Sequence, residues 1–316
     1  MQSLQEIKSE LKALYINRVL KAKQTAERNL AVARTDKKFN SNYLKINQLN
    51  YLIAKKKCDK IDTFQDEEEL NKLKTTQISL LKKLNLTPED LEPNYLCKTC
   101  QDSGVYNGHP CNCYKTELTK RILRSNGINY KELKTFKDFD ESVAPTKKQQ
   151  QSLSKLKKLG EQYVSKFRDT KYENIYIYGE TGTGKTFFTQ CIASSLIRKY
   201  VYVNIVSAFQ MNNIFLNYHG SFDKDKSNIL SALLDPDLLI IDDLGTEPLF
   251  KNVTREYLGV VITERNLHKK RTIITSNLTP NDLLDRYGER IYSRIFSKIN
   301  SLQIALTGDD LRLQTN

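Results

Sequence analysis

The sequence predicts an α/β domain built on a parallel sheet, preceded by a long helical segment and a small cysteine-rich module. Leucine and isoleucine recur at helical spacing through roughly the first 86 residues. From about residue 150 onward, short apolar runs alternate with helical stretches instead. Apolar strands separated by helices are typical of a parallel sheet that carries helices on both faces.

The N-terminal segment contains three apolar stripes at helical spacing, with steps of three or four residues, which places each stripe on one face of a helix. The stripes comprise Leu4, Ile7, Leu11 and Leu14; Ile46, Leu49 and Ile53; and Leu70, Leu73, Leu80 and Leu84. In the third stripe polar Gln77 occupies the position between Leu73 and Leu80. Each run is short, so a helical hairpin or a small bundle is expected. The pattern fits a partner-binding module, and it fits equally a stalk that only buries its own stripes. The segment ends at Thr87-Pro88, since proline interrupts helices.

Five apolar runs predict the strands of the C-terminal domain: Asn174–Tyr178, Val201–Val206, Leu238–Ile241, Thr272–Thr275 and Leu302–Leu306. The chain has 50 Lys and Arg against 37 Asp and Glu, a net charge of +13. This excess favours a polyanionic partner, nucleic acid first, although a solvated lysine-rich surface gives the same sum. No apolar run approaches the roughly 18 residues of a membrane helix, and the N-terminus lacks a secretory apolar region. We therefore expect a cytoplasmic protein without membrane contact.

The first predicted strand runs directly into a glycine-rich loop that matches G-x-x-x-x-G-K-[ST] and precedes a helix. The glycines let successive backbone N–H groups point at phosphate oxygens, and the helix adds its positive N-terminal end. The lysine is expected to reach the β- and γ-phosphates of ATP and the threonine hydroxyl to bind Mg²⁺. The predicted nucleotide-binding residues are Gly179, Glu180, Thr181, Gly182, Thr183, Gly184, Lys185, Thr186 and the adjoining Phe187.

Acidic and amide side chains follow two further apolar strands. Asp242 and Asp243 end the strand Leu238–Ile241, at the sheet edge where α/β proteins bind ligands. We assign Asp242 to the Mg²⁺ shell and Asp243 to the orientation and deprotonation of the attacking water. Asn277 follows the next strand, where an amide could hydrogen-bond the γ-phosphate or the water. Ser276-Asn277 is by itself also an ordinary strand exit.

Arg290 and Arg294 lie one helical turn apart in the sequence Gly288-Glu-Arg-Ile-Tyr-Ser-Arg294. Either arginine could be a structural ion-pair partner. The alternative is a guanidinium offered to the γ-phosphate of a neighbouring subunit. Such arginine fingers contribute on the order of 10³–10⁵ in rate.

The cysteine-rich module has four thiols in the spacing C-x₂-C-x₁₀-C-x-C, at Cys97, Cys100, Cys111 and Cys113. Four thiolates suit tetrahedral Zn²⁺, and Cys-x-x-Cys supplies half of such a site. Because Cys-x-Cys chelates with more strain, His109 could replace Cys113 as the fourth ligand. A disulfide or a redox Cys-x-x-Cys is the alternative, and a cytosolic chain disfavours the disulfide.

A segment from Ser207 to Tyr218 combines aromatic and amide residues and is followed by Lys224 and Lys226. Aromatic and basic side chains together suit single-stranded DNA. The aromatic residues could equally form the buried face of a helix. We expect most of them in the core and leave Tyr218 and the two lysines as possible DNA contacts.

The motifs taken in order resemble the AAA+ domain of the DnaC/DnaI bacterial helicase loaders and of their relatives, the IstB transposition ATPases. The resemblance rests on the phosphate-binding loop, Leu-Ile-Ile-Asp-Asp-Leu-Gly, Ile-Thr-Ser-Asn and Gly-Glu-Arg-Ile-x-Ser-Arg-Ile, and covers roughly residues 136–316. It implies a five-stranded AAA+ P-loop core that self-associates. It also implies that Asn277 is sensor 1, that Arg294 acts in trans beside Arg290, and that Arg312 is a sensor-2 candidate. Asp243 stands where the wider class has Glu, which would suit slow turnover.

The resemblance also implies three parts: a helical partner-binding module at 1–92, a zinc module with linker at 93–135, and the AAA+ domain at 136–316. The DnaI-type loaders have a zinc module in this position, whereas IstB-type proteins generally lack one. The expected function is ATP-dependent loading of a ring-shaped, DnaB-type replicative helicase, gripped by residues 1–92, onto single-stranded DNA when replication begins. The alternatives are a transposition ATPase that binds duplex DNA and stimulates a transposase, and an adaptor that binds nucleotide without turnover.

Overall fold

A computed structural model describes residues 4–221, 229–297 and 299–313. The chain divides into two compact units, Lys12–Cys111 and Met1–Leu11 together with Asn112–Asn316. Within the described ranges, no helix is both long enough and apolar enough to cross a membrane.

The helical N-terminal region consists of α1 (Leu4–Arg34), α2 (Lys37–Cys58) and α3 (Phe64–Lys83). Asp36 caps α2, because its carboxylate accepts the N–H of Phe39 at 2.8 Å. Two small apolar clusters hold the helices together. One is centred on Ala33, Phe39 and Leu81, and the other on Ile46, Ile53 and Leu70. The prediction of a helical N-terminal region is therefore confirmed.

The first turns of α1 belong to the unit that contains the sheet. Leu4, Ile7 and Leu11 are buried there. Lys8 forms an ion pair with Asp235 at 3.0 Å. The apolar stripe that predicted the start of the helical module thus lies in the other unit, because its burial is tertiary. The division at residues 92 and 135 stays a prediction.

The second unit is built on a five-stranded sheet, and every neighbouring pair of strands is parallel. Its strands are β3 (Asn174–Gly179), β4 (Val203–Ser207), β5 (Leu238–Leu244), β6 (Arg271–Ser276) and β7 (Ser301–Leu306), in the order β4-β5-β6-β3-β7. Its helices are α4 (Asn112–Ser125), α5 (Lys147–Ser165), α6 (Lys185–Arg198), α7 (Ala208–Gly220), α8 (Ser231–Leu234), α9 (Thr254–Leu267), α10 (Pro280–Tyr287) and α11 (Glu289–Ile295). All five predicted strands are present.

Both faces of this sheet are covered. Alternate residues of β3 point to opposite sides, so Ile175 and Ile177 enter one apolar cluster and Tyr176 enters the other. The first cluster includes buried residues of α5 and α6, and the second includes those of α7, α9 and α11. Since the strands are parallel, their carboxyl ends meet at one edge, which places the loop after β3 beside the ends of β5 and β6.

The cysteine-rich segment contains a short antiparallel ribbon of β1 (Val105–Tyr106) and β2 (His109–Pro110). Its two-residue turn has positive φ at Asn107 (50°) and Gly108 (75°). That conformation is the one that Asn-Gly favours in a tight hairpin.

Candidate functional site

The loop between β3 and α6 has a backbone that only glycine adopts without strain. Gly182 and Gly184 have φ values of 81° and 93°. A Cβ atom at Gly182 would lie 1.9 Å from the carboxyl group of Asp310. Gly182 is therefore required both by conformation and by close packing, and Gly184 by conformation. Lys185 is the first residue of α6, so the loop ends at a helix N-terminus.

Lys185 connects the loop to the end of β6. Its Nζ donates to the carbonyl oxygens of Gly179 and Glu180, both at 2.8 Å, and to Oδ1 of Asn277 at 2.7 Å. Burial lowers the pKa of Lys185, while Asp243 and Asp242 oppose that shift. The structure thus brings together the predicted lysine, the two acids and the predicted sensor amide.

Asp242 is held by two hydroxyl groups. Thr186 Oγ1 lies 3.1 Å from both carboxylate oxygens, and Thr275 Oγ1 donates to Oδ1 at 2.7 Å. Burial raises the pKa of Asp242, and the hydrogen bond from Thr275 acts in the opposite direction. A carboxylate beside a threonine hydroxyl at a phosphate-binding loop is a donor set that Mg²⁺ accepts. Thr275 was absent from the predicted site residues, although its position in Ile-Thr-Ser-Asn is a usable signal.

Asp243 has left-handed backbone geometry, with φ of 56°. Its N–H donates to Thr275 Oγ1 at 2.9 Å, and the pairing between β5 and β6 shifts register between Ile241 and Leu244. The local distortion separates the two acids, so that Asp242 contacts Thr186 whereas Asp243 lines the adjoining cavity.

A cavity of about 460 Å³ lies against the phosphate-binding loop. Six of its lining residues were not predicted as site residues: Asp138, Phe139, Asp140, Val143, Leu153 and Leu311. The ring of Phe139 meets that of the predicted Phe187 edge-on, with centroids 5.6 Å apart. An apolar wall beside hydrogen-bond donors that could bind phosphate suits a nucleotide, whose planar base is attached to phosphates. Sequence motifs did not identify this wall because its members come from segments with no nucleotide-binding spacing.

The C-terminal turn closes one side of the same cavity. Leu311 N–H donates to the carbonyl of Gly182 at 3.0 Å. Arg312 lines the cavity, and its guanidinium forms two hydrogen bonds to Asp310, at 3.0 and 2.7 Å. The predicted sensor-2 residue thus lies at the cavity beside the phosphate-binding loop, with its carboxylate partner two residues before it.

Arg290 and Arg294 are not among the residues that line this cavity. Arg294 Nε donates to Thr263 Oγ1 at 2.5 Å, and its Nη1 donates to the carbonyl of Arg290 at 2.7 Å. Arg290 is exposed, and no hydrogen bond or ion pair of its side chain occurs among the described residues. The two arginines therefore differ in how firmly the rest of the chain holds their side chains.

The four cysteine thiols form one group, with all Sγ atoms within 4.8 Å of one another. Cys113 belongs to the group, whereas His109 is exposed and is not a member. Asp102 is buried beside them, and its carboxylate accepts the N–H groups of Leu96 at 2.7 Å and Cys97 at 2.9 Å. Four clustered thiolates fit Zn²⁺ well, and Asp102 fixes the backbone of the first ligand.

The aromatic segment after β4 divides as expected between core and surface. Met211, Ile214 and Phe215 are buried in α7, whereas Phe209 is 59% exposed. Tyr218 packs edge-on against Tyr257, with centroids 5.0 Å apart. Lys224 and Lys226 lie outside the described residues.

The chain is similar in sequence to several known proteins. The chain is 26% identical over 231 residues to the phage-like element PBSX protein XkdC of Bacillus subtilis, covering 68% of this chain and 83% of that protein. It is 28% identical over 122 residues to the replicative helicase loader DnaI of Bacillus subtilis, covering 38% and 39% of the two chains. The chain thus spans about two fifths of that relative. The crystal structure of the DnaC helicase loader aligns over 54% of this chain and 98% of that chain, with 22% identity and a TM-score of 0.42.

The model of the family described as IstB-like ATP binding protein matches residues 115–315, which is more than half of the chain. The matched range contains the phosphate-binding loop, both acids, the sensor amide and the arginine pair. The chain therefore belongs to the IstB-like ATP-binding protein family and is an ATPase.

Proposed function

We propose that this ATPase loads a ring-shaped, DnaB-type replicative helicase onto single-stranded DNA. One combination of features supports the proposal above all. The same chain contains a proposed ATP site whose residues are hydrogen-bonded to one another, a separate helical unit and a group of four thiols. DnaI, to which the chain is similar, is named a replicative helicase loader. Such a protein would work in the cytoplasm.

Residues 1–92 would contact the helicase, residues 93–135 would brace that contact around a zinc ion, and residues 136–316 would bind ATP and DNA. The helical unit exposes several large apolar side chains, including Ile16, Leu20, Leu44, Tyr51 and Phe64. A contiguous exposed apolar patch is typical of a protein-binding surface. These side chains are the candidates for such a patch on this unit.

In the proposed ATP site, Lys185 and the N–H groups of the loop bind the phosphates. Thr186 and Asp242 would hold Mg²⁺, which when bound neutralises phosphate charge. Asp243 orients and deprotonates the attacking water, and Asn277, now hydrogen-bonded to Lys185, contacts the γ-phosphate or that water. The aspartate side chain is shorter than glutamate, so turnover is slow and depends on partners.

The arginine pair would act on the ATP of a neighbouring subunit, because neither residue lines the cavity of its own. Arg294 is the proposed finger and Arg290 its neighbour. Arg294 would have to leave Thr263, whereas Arg290 is already exposed. Both residues therefore need to be tested.

Single-stranded DNA would contact the surface around the start of α7. Phe209 is exposed there, and Asn212 donates to the carbonyl of Pro248 at 2.8 Å, which ties α7 to the loop that carries Phe250. Phe250 is 42% exposed and precedes Lys251. Each base stacked on an aromatic ring contributes roughly 1–3 kcal/mol.

The first experiment measures ATP turnover with and without single-stranded DNA and the replicative helicase of the host. We expect turnover to rise with both partners and to fall at least about a hundredfold in Arg294→Ala or Arg290→Ala, in line with the weight of arginine fingers. ATP binding should be retained in both variants. If both variants turn over ATP as fast as the wild type, the arginine-finger assignment is wrong. If the helicase shows no ATP-sensitive binding to this protein in a pulldown, the loader proposal is wrong.

A transposition ATPase is the second candidate, because the matching family model is the IstB-like one. Duplex DNA bound in preference to single strands, in ATP-dependent filaments, would favour it. A nucleotide-locked adaptor would show no turnover even with DNA and helicase, and its Lys185→Ala variant would bind partners normally.

A further inference from the structure

Glu247 is a buried carboxylate that the proposed hydrolysis does not use. It is 1% exposed. Its Oε2 accepts the N–H of Gly245 at 2.9 Å, and its Oε1 accepts the hydroxyl of Tyr287. Arg286 donates to the Glu247 carbonyl rather than to the carboxylate. A buried carboxylate is unfavourable unless it is hydrogen-bonded, so these contacts fix the two segments to each other.

One of these segments is the end of β5, immediately after the proposed catalytic acid. Thr246 Oγ1 donates to the carbonyl of Asp243 at 2.8 Å. Ser276 Oγ donates to the carbonyl of Leu244 at 2.5 Å, and Ser276 directly precedes Asn277. The backbone held by Glu247 is thus connected to the two groups that would contact the γ-phosphate and the water.

The other segment is the end of α10, which lies one residue before α11, the helix that carries the arginine pair. Tyr287 is the last residue of α10 and is 3% exposed. Gly288, with φ of 86°, is the only residue between α10 and α11. Its N–H donates to Leu284 O at 2.7 Å and its carbonyl accepts from Tyr292 N–H at 3.1 Å. The Tyr287 hydroxyl therefore anchors the first turn of α11, where Arg290 lies.

We propose that Glu247 and Tyr287 form a positioning link between the ATP site of a subunit and the arginine pair that this subunit offers to its neighbour. The link rests on the proposed action of these arginines in trans. A shift at Asp243 or Asn277 moves the backbone at Leu244 and Gly245, and the buried hydrogen bonds of Glu247 pass that shift to α11. Burial raises the pKa of Tyr287, so its hydroxyl stays protonated and remains a donor to the carboxylate.

The test uses assemblies mixed from two kinds of full-length subunit. The donor carries Asp243→Asn, so it binds ATP and presents arginines but does not hydrolyse. The acceptor carries Arg290→Ala and Arg294→Ala, so it can hydrolyse only with arginines from a donor. Tyr287→Phe is then added to the donor alone or to the acceptor alone. We expect turnover of the mixture to fall about tenfold with the change in the donor, a typical size for coupling between sites, and to stay unchanged with the change in the acceptor.

Other outcomes overturn the link in distinguishable ways. An equal loss from donor and acceptor, or no loss from the donor, would make Tyr287 merely structural. No turnover in the unmodified mixture would remove the action in trans, and the link with it. If Tyr287→Phe melts early because Glu247 is left short of a donor, the double variant Glu247→Gln, Tyr287→Phe in the donor replaces it and should give the same loss.

Discussion

At the scale of single residues, the hydroxyl of Thr275 decides how the two acids are used. It donates to Asp242 and accepts from the N–H of Asp243, so one side chain fixes both. Asp243 is thereby held in left-handed geometry beside the cavity, while Asp242 stays against Thr186. A sequence pattern identifies the acid pair, but the separate placement of its members follows from this contact.

The pH dependence of Mg²⁺-dependent ATP binding tests this contact. Burial raises the pKa of Asp242 above its value in the unfolded chain. The ionised carboxylate therefore makes the folded protein less stable at high pH, and this destabilisation disappears as the pH falls and Asp242 is protonated. Mg²⁺ needs the ionised form. Thr275→Val removes the hydrogen bond that lowers this pKa, so binding should weaken at a higher pH than in the wild type. Titration of a fluorescent ATP analogue from about pH 8 to about pH 5 measures the shift.

The matched control for that titration is binding of the same analogue in EDTA, which should show a much smaller difference between the two proteins. Superimposable pH profiles in the presence of Mg²⁺ would show that Asp242 does not hold the metal.

At the scale of elements, the cysteine-rich ribbon favours one of the two fourth ligands that spacing left open. The turn at Asn107-Gly108 directs β2 so that Cys111 and Cys113 join Cys97 and Cys100, while His109 stays exposed on the ribbon. Chain spacing alone allowed either His109 or Cys113 as fourth donor, because both are close in sequence.

Zinc content of purified variants tests the fourth donor. Cys113→Ser should lose most of the bound zinc and melt earlier, because metal binding of this kind supplies on the order of 10 kcal/mol of folding free energy. His109→Ala is the matched control and should retain the metal stoichiometry of the wild type. The zinc content of both variants is measured by atomic absorption. Loss of zinc from the histidine variant alone would contradict the assignment of Cys113.

At the scale of the whole molecule, the charge of +13 and the exposed aromatic rings would give the proposed DNA binding two separable parts. Lysine and arginine on phosphate release counterions, so affinity falls as salt rises. Stacking of a base on Phe209 would not depend on counterions in this way. The net charge and the ring should therefore affect different observables.

Affinity for single-stranded DNA measured across a salt series checks this division. Phe209→Ala should weaken binding at every salt concentration by about tenfold, the size of one lost stacked base, with an unchanged slope of log affinity against log salt. Lys251→Ala should reduce the slope by about one phosphate contact. A change of slope with Phe209→Ala, or none with Lys251→Ala, would refute this DNA surface.

The sequence by itself determined the five strands, the helical N-terminal region, the phosphate-binding loop and the acid pair. These features are local: a strand needs an apolar run, and a phosphate-binding loop needs glycines and a lysine at fixed spacing. The family match covers residues 115–315, a range that contains the phosphate-binding loop and the acid pair.

Only the tertiary structure decided what depends on segments distant in the chain. The stripe of Leu4, Ile7 and Leu11 is helical, as predicted, but it is buried in the sheet-containing unit. The sequence shows that a helix face is apolar, but it does not show which surface covers that face. The apolar wall of Phe139 and Leu311 and the buried contact between Glu247 and Tyr287 likewise join residues with no fixed spacing. Residue spacing predicts the conformation of one helix or loop, whereas the contacts between distant segments depend on how the whole chain packs.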